Sequence, residues 1–414
     1  MQTKTFAAVA VLFLAATLNG CAATNRWNFS FGSGKAAAGH QTVSPTNLYN
    51  TATGFGFEPG ATNLLAHPSH IDSPQPFYFS VALPEGNYRV TATFAGGSNG
   101  STNTVKSELR RLMLEHVAVA PGKTAMRRFT VNVRRPEIPG GGPVRLKDRE
   151  RTSEIWNWDE KLTLEFNGSH PALASLEIQS ADELPTVYLL GDSTVCDQPR
   201  EPWNSWGQML PRFLSDRVVV ANHAESGETL RSSFNARRLD KVLSTMKPGD
   251  YLLIQFGHND MKERDTNSLA NYEASLKKYI AGAKAKGGIP VLVTSMERKG
   301  GVDHDTLGQY PATVRAVARQ ENVALIDLHA LSRTLYNALG RDLDKAFQDG
   351  THHNNFGSYE LAKCIAAALK KSSLPLAKAV ADDFKDFDPA RPDAVATFDM
   401  PASPGNAGPR PLGD

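Results

Sequence analysis

Four short stretches of this chain carry residue types that could perform covalent chemistry together. An apolar run over 187–190 stops at Gly191-Asp192-Ser193. A lone glycine, Gly227, stands in the stretch 225–233, and Asn259 sits in Gly257-His258-Asn259-Asp260. Asp349 precedes His352 by three residues in Asp349-Gly350-Thr351-His352. A serine hydroxyl is a weak nucleophile at neutral pH and needs a base within hydrogen-bond reach. His352 can be that base, and Asp349 is close enough in sequence to orient its ring and fix its tautomer. Attack on an ester carbonyl places negative charge on oxygen, which needs preorganised donors. The Ser193 N–H, the Gly227 N–H and the Asn259 side-chain amide can supply them. Taken together, the residues predict acyl transfer through Ser193, His352 and Asp349.

Each stretch alone has an ordinary reading. Gly-Asp-Ser is common turn chemistry, and Gly257–Asp260 reads as a loop with an Asx-turn. The segment after Asp349 could be a turn leading into a helix cap, since Asn354, Asn355 and Ser358 are cap residues. Gly227 alone is a glycine at a turn. What favours catalysis is that all four fall at the ends of elements that could bring them to one edge of a sheet. From residue 186 onward, strand patterns at 187–190, 218–221, 251–256, 291–295 and 324–328 alternate with helical patterns near 204–215, 229–245, 268–286 and 311–320. That order predicts a parallel sheet of about five strands in a three-layer α/β/α sandwich. Ligands bind such sheets at the carboxyl ends of the strands, where Ser193 would project.

The chain before this point is different. Residues 77–82, 88–94, 125–133 and 162–166 alternate apolar and polar side chains between Gly, Pro and Asn clusters, the pattern of an all-β sandwich. The segment 136–143 is expected to be a long loop of this domain, with the domain boundary at 180–185. Trp156 and Trp158 could form a sugar-stacking platform or pack beneath a loop. From Pro389 onward the chain lacks periodicity and is expected to wrap as a tail or to be disordered.

The four motifs resemble the sequence blocks of the SGNH (GDSL) hydrolase superfamily. The wording of residues 186–372, including YLLGDSTV, QFGHND, VTSMERKGG, ALIDLHALS and DGTHHNNFGSYELA, is similar to rhamnogalacturonan acetylesterases. The resemblance implies a flavodoxin-like parallel sheet over 186–375, with Ser193 as nucleophile, His352 and Asp349 completing a triad, and Ser193, Gly227 and Asn259 forming the oxyanion hole. It also implies an acetylated pectic polysaccharide as substrate, with a lipase or thioesterase on longer acyl chains as the alternative. A non-catalytic carbohydrate-binding protein is the alternative of another class. Residues 24–182 resemble jelly-roll, galactose-binding-like accessory domains, and 376–414 form a C-terminal extension. His353 stands where an aliphatic or aromatic residue is expected and is a candidate substrate contact. Arg231, His258 and Arg298, near strand ends, are further candidates, since an arginine can grip a uronate carboxylate in a bidentate pair. A chain cut near Leu184 is expected to keep activity on small esters if it folds.

A segment with Lys4 followed by an apolar run over 6–18 reads as a signal peptide covering 1–20. It ends in Leu18-Asn19-Gly20-Cys21, which resembles a lipobox, so Cys21 is expected to carry a lipid. The alternative is ordinary cleavage near Ala22 or Ala23. The protein is accordingly expected to be exported, as a periplasmic or surface lipoprotein or in soluble form, touching membrane only through that anchor. Cys196 and Cys364 could pair in an oxidising compartment or remain buried thiols. A net charge of +2 provides no global basic field for nucleic acid. No cofactor or metal is expected: neither C-x-x-C nor H-E-x-x-H occurs, and the triad context accounts for Asp349 and His352 better than a metal cluster with His353 and His258 would.

Overall fold

A computed structural model describes residues 26–61 and 63–405. The expected signal peptide and Cys21 lie outside the described residues.

Two packed sheets make up the first half. One runs in the order Thr124–Val133, Gly86–Ala95, Ala172–Ser180, Arg26–Phe31, Gln41–Val43, with the hairpin Leu65–Ala66/Ile71–Asp72 joined to Ala172–Ser180. The other runs Phe55–Phe57, Phe77–Ala82, Lys161–Asn167, Ser101–Ser107, Arg111–Val119. The period of two explains the packing. Along Gly86–Ala95 the side chains of Tyr88, Val90, Ala92 and Phe94 are all buried, and they meet Phe77, Phe79 and Phe166 of the opposite sheet in one core. Phe57 and Phe79 pack edge to face, 5.3 Å apart, and Phe77 stacks on Phe166 at 5.2 Å.

The second half is built on five parallel strands ordered Val219–Asn222, Thr186–Gly191, Tyr251–Gln255, Ile289–Val293, Ala324–Ile326. Thr186–Gly191 is buried at every position, as expected for a central strand covered on both faces. The helices Leu328–Leu339 and Asn355–Lys371 cover one face through Leu335, Phe356, Leu361 and Ile365. The helices Arg238–Thr245, Ser268–Ala285 and Tyr310–Gln320 cover the other through Val242, Leu276, Tyr279 and Val317.

Two expected helices are shorter than their sequence patterns. The pattern over 204–215 becomes Trp206–Met209 and a 3₁₀ turn, Leu210–Phe213, because Pro211 cannot donate to a continuing ladder. The pattern over 229–245 breaks into Leu230–Asn235 and Arg238–Thr245 at Arg237, whose φ is +64°. That kink aims the Arg237 guanidinium at the Gly142 carbonyl, 2.5 Å away.

The two halves share a broad polar interface. The tip of the hairpin joining Ser101–Ser107 to Arg111–Val119 enters the α/β half. There the Leu109 carbonyl accepts from Gln208 (2.6 Å), Arg111 pairs with Asp197 (2.9 Å), and Leu112 joins the core beneath Trp206. The segment from 134 to 160, beyond being a loop, lies along residues 225–241: Lys241 donates to the Glu137 carbonyl (2.7 Å), and Arg238 forms a bidentate pair with Glu150 (3.0 and 2.6 Å). The tail wraps back to the sandwich, where Lys106 Nζ donates to the Pro401 carbonyl (2.7 Å) and Ser403 Oγ (2.8 Å).

Candidate active site

Ser193 emerges two residues past the strand Thr186–Gly191, in a tight turn closed by Val195 N–H and Cys196 N–H donating to the Asp192 carbonyl (both 3.0 Å). The Asp192 carboxylate accepts from the Thr194 N–H (3.0 Å) and hydroxyl (2.7 Å) and faces His258 Nδ1 at 3.4 Å. Burial pushes the Asp192 carboxyl up, but the contacts from His258 and Thr194 outweigh it and hold it below its ordinary value. A charged carboxylate, held through its Oδ1 by Thr194, thus pins the turn that carries the nucleophile. The Ser193 carbonyl is held by Gln198 Nε2 at 2.7 Å.

His352 arrives from the loop before the helix Asn355–Lys371. Its Nε2 lies 2.8 Å from Ser193 Oγ and its Nδ1 2.8 Å from Asp349 Oδ2. Asp349 Oδ1 also accepts the backbone N–H groups of Thr351 (2.7 Å) and His352 (2.6 Å). Burial raises the Asp349 carboxyl, and these hydrogen bonds reverse the effect, leaving it below the usual carboxylate range. It therefore stays ionised at neutral pH, places the proton on Nδ1 and leaves the Nε2 lone pair for the serine proton. Trp203 and His352 stand nearly perpendicular, with 5.8 Å between ring centroids.

Gly227 occupies the turn after Val219–Asn222 with φ of +76°, a conformation favoured for glycine. The preceding carbonyl, that of Ser226, accepts from Lys147 Nζ (2.6 Å) and Arg149 Nη2 (2.7 Å), both from the sandwich half. In a trans peptide the C=O and the following N–H point in opposite directions. The two cations therefore direct the Gly227 N–H away from the sandwich, to the opposite side of the loop. Lys147 and Arg149 also pair with Glu228 (2.8 Å) and Glu225 on the same turn. Asn259 follows the strand Tyr251–Gln255, and its Nδ2 donates one hydrogen to the Glu228 carbonyl (3.1 Å), leaving a second for substrate. Asn259→Ala is expected to lower kcat by about 10²–10³ with little change in KM, because the amide acts on charge that exists only in the transition state. Steady-state kinetics check this, and an unchanged kcat would make Asn259 a loop brace only.

Three residues expected near substrate hold the framework instead. His353 is buried, with its Nε2 2.9 Å from the Tyr336 hydroxyl and its ring 4.0 Å from that of Phe347. Burial, followed by the charges of His352 and His258, pushes its pKa down to about 3, so it is neutral at working pH. His258 is buried between Asp192 and the Met296 carbonyl (2.9 Å). Arg298 spends its donors on Thr351 Oγ1 (3.1 Å), the Thr306 carbonyl (3.3 Å) and the His258 carbonyl (3.2 Å), tying the base loop to the Asn259 loop. Arg231 is half exposed and pairs with Glu263 (3.2 Å). The two tryptophans diverge: Trp158 is buried and donates to Glu150 (3.0 Å), whereas Trp156 lines a cleft with Tyr78 and Arg200. His353→Ala should cost about 2–4 kcal/mol in urea unfolding, through a cavity and an orphaned Tyr336 hydroxyl. Turnover per folded molecule should fall far less than in His352→Ala; the reverse ranking would overturn the assignment of the base.

Sequence patterns did not disclose Trp203, Gln198, Lys147 or Arg149. Trp203 and Gln198 lie in an irregular loop, and the two cations come from another domain.

Comparison with known proteins agrees with this geometry. Residues 189–358 match the model of the GDSL-like Lipase/Acylhydrolase family. Rhamnogalacturonan acetylesterase RhgT of Bacillus subtilis (strain 168) is 37% identical over 213 residues, covering 46% of this chain and 91% of that protein. The chain belongs to the GDSL-like lipase/acylhydrolase family. As a member of it, the protein is a serine esterase with the family's Ser-His-Asp mechanism. A rhamnogalacturonan acetylesterase of Emericella nidulans is 26% identical over 233 residues, covering 50% of this chain and 93% of its own. The similarity to the uncharacterized esterase YxiM of Bacillus subtilis (strain 168) also takes in the sandwich: 27% over 410 residues, 90% of this chain and 99% of that one.

Proposed function

We propose that this GDSL-family esterase removes acetyl groups from pectic polysaccharide of the rhamnogalacturonan class. The carrying observation is the unbroken relay Asp349–His352–Ser193 at 2.8 Å per step, in a chain that over 213 residues is 37% identical to a rhamnogalacturonan acetylesterase. Ser193 Oγ attacks the acetyl carbonyl carbon while His352 Nε2 takes its proton. The oxyanion rests on the N–H groups of Ser193 and Gly227 and on the Asn259 amide. Collapse breaks the bond to the sugar oxygen, which takes the proton from His352, and an acetyl-serine remains. Water, deprotonated by His352, then releases acetate and restores the serine.

The narrowness of the site supports a small acyl group: Ser193 is 2% and His352 1% exposed, with Trp203 against the base. The cleft between the domains, about 380 Å³ and lined by Trp156, Tyr78 and Arg200, offers a polymer an aromatic face and a cation for a uronate carboxylate. Nitrophenyl esters of increasing chain length test the reading. The acetate ester should be turned over best, with kcat/KM falling steeply by the octanoate; the opposite trend would point to a long-chain acylhydrolase.

A further inference from the structure

One cluster in the sandwich plays no part in the esterase chemistry. His67 and His70 bracket the turn of the hairpin Leu65–Ala66/Ile71–Asp72, and Asp72 follows, giving the spacing His-x-x-His-x-Asp. His67 Nε2 lies 3.2 Å and His70 Nε2 3.9 Å from Asp72 Oδ2. Both ring nitrogens are shut off from solvent, and neither has a hydrogen-bond partner. The His70 side chain is only 9% exposed. Buried polar atoms are nearly always satisfied, and two that converge on one carboxylate without being satisfied call for something between them.

The surroundings suit an ion. His70 Nδ1 lies 3.4 Å from Ser69 Oγ, which can accept its proton, and in that tautomer the Nε2 lone pair faces Asp72. Gly97 stands opposite: a Cβ there would lie 3.5 Å from His70 Nε2 and 3.9 Å from Asp72 Oδ2, so the missing side chain keeps the space open. The turn is anchored from below by Ser33 N–H on the His67 carbonyl (2.8 Å) and Gly34 N–H on the Pro68 carbonyl (3.0 Å). A second group, Glu297, Asp305 and His329, lacks this character, because the Glu297 carboxylate already accepts from Thr306 and the Arg298 N–H and faces His329 at 3.1 Å.

We propose that His67, His70 and Asp72 form a binding site for a divalent transition metal ion of the zinc class. Two imidazoles and one carboxylate suit zinc and its neighbours, whereas calcium and magnesium prefer all-oxygen sets. The two rings are stacked, 4.4 Å apart and 11° from parallel, and parallel rings cannot both hold one ion in their planes. His67, with a side chain 41% exposed, is free to turn its ring toward the ion on binding. Three protein ligands leave a position for water. The ion would close the hairpin whose Ile71–Asp72 strand pairs with Ala172–Ser180, clamping this edge of the sheet.

The test uses the full-length protein stripped with chelator and dialysed. Calorimetric titration with Zn²⁺ should show one tight equivalent, and Co²⁺ should give the visible absorption of a low-symmetry site. His67→Ala and His70→Ala should each weaken Zn²⁺ binding by at least about 100-fold, beyond the 10–100-fold that loss of an outer-shell contact costs. His67→Ala alters the more exposed ligand, so it remains informative if His70→Ala fails to fold. Absence of a stoichiometric Zn²⁺ event, or equal affinity in the wild type and His67→Ala, would overturn the proposal. The latter would assign binding to exposed histidines such as His116 and His170.

Discussion

Ser193→Ala is expected to lower ester turnover by about 10⁴-fold or more while leaving the fold intact, since triad members act as a unit. The hydroxyl is at the end of the relay and its hydrogen bond is to His352 Nε2. The turn that carries it is held by other groups: the Asp192 carboxylate on Thr194, the Asp192 carbonyl on Val195 and Cys196, and Gln198 on the Ser193 carbonyl. Deleting one oxygen from such a turn should change stability by less than about 1 kcal/mol. Steady-state kinetics on a nitrophenyl acetate, alongside circular dichroism and a urea melt, separate the two effects. A folded Ser193→Ala protein with most of its activity would exclude the acyl-enzyme route.

The second large effect concerns the sandwich. Its chemistry-poor sequence suggests that a chain cut near Leu184 keeps its activity on small esters. The interface changes that expectation. The cut removes Leu112 from the hydrolase core, Arg111 from Asp197 and Glu150 from Arg238. It also removes both cations that fix the Ser226–Gly227 peptide. A freed peptide can rotate, and loss of one oxyanion donor costs about 10²–10³ in kcat. The truncated chain should therefore lose at least that much activity even on a nitrophenyl acetate, if it folds at all. The full-length double variant Lys147→Met/Arg149→Met isolates the local cause. It should stay folded and lose about 10-fold or more in kcat with KM nearly constant, as positional errors at a reacting centre do. Lys147→Arg should restore part of the loss. Wild-type kcat in the double variant would remove the sandwich from the oxyanion hole.

How far the sequence disclosed this molecule depends on the range of the interactions. Buried strands such as Thr186–Gly191 and the alternating Phe77–Ala82 announce themselves because one local pattern decides them. The triad was legible because Asp349 and His352 share one turn and Ser193 marks a strand end. Arg111–Val119 is harder to read, since its three consecutive buried residues followed by partly exposed ones blur the period-two signal. His353, His258 and Arg298 were misplaced for another reason. Their spacing put them beside the site, but only the packing of Tyr336, Met296 and Thr351 commits them to structural bonds. The Lys147–Ser226 contact joins residues 79 apart across two domains, so no local pattern could reveal it. The His67, His70 and Asp72 group is not legible as a metal site in the sequence, because its spacing is neither C-x-x-C nor H-E-x-x-H and its side chains converge only once the hairpin forms.

The most direct test of the central claim is acetate release from acetylated rhamnogalacturonan oligosaccharides, followed enzymatically with acetylated xylan as comparison and Ser193→Ala as control. The account predicts stoichiometric acetate from the pectic oligosaccharide, with kcat/KM above that for xylan and no release by Ser193→Ala. A wild-type enzyme that cleaves nitrophenyl acetate yet frees no acetate from the pectic oligosaccharide would contradict it.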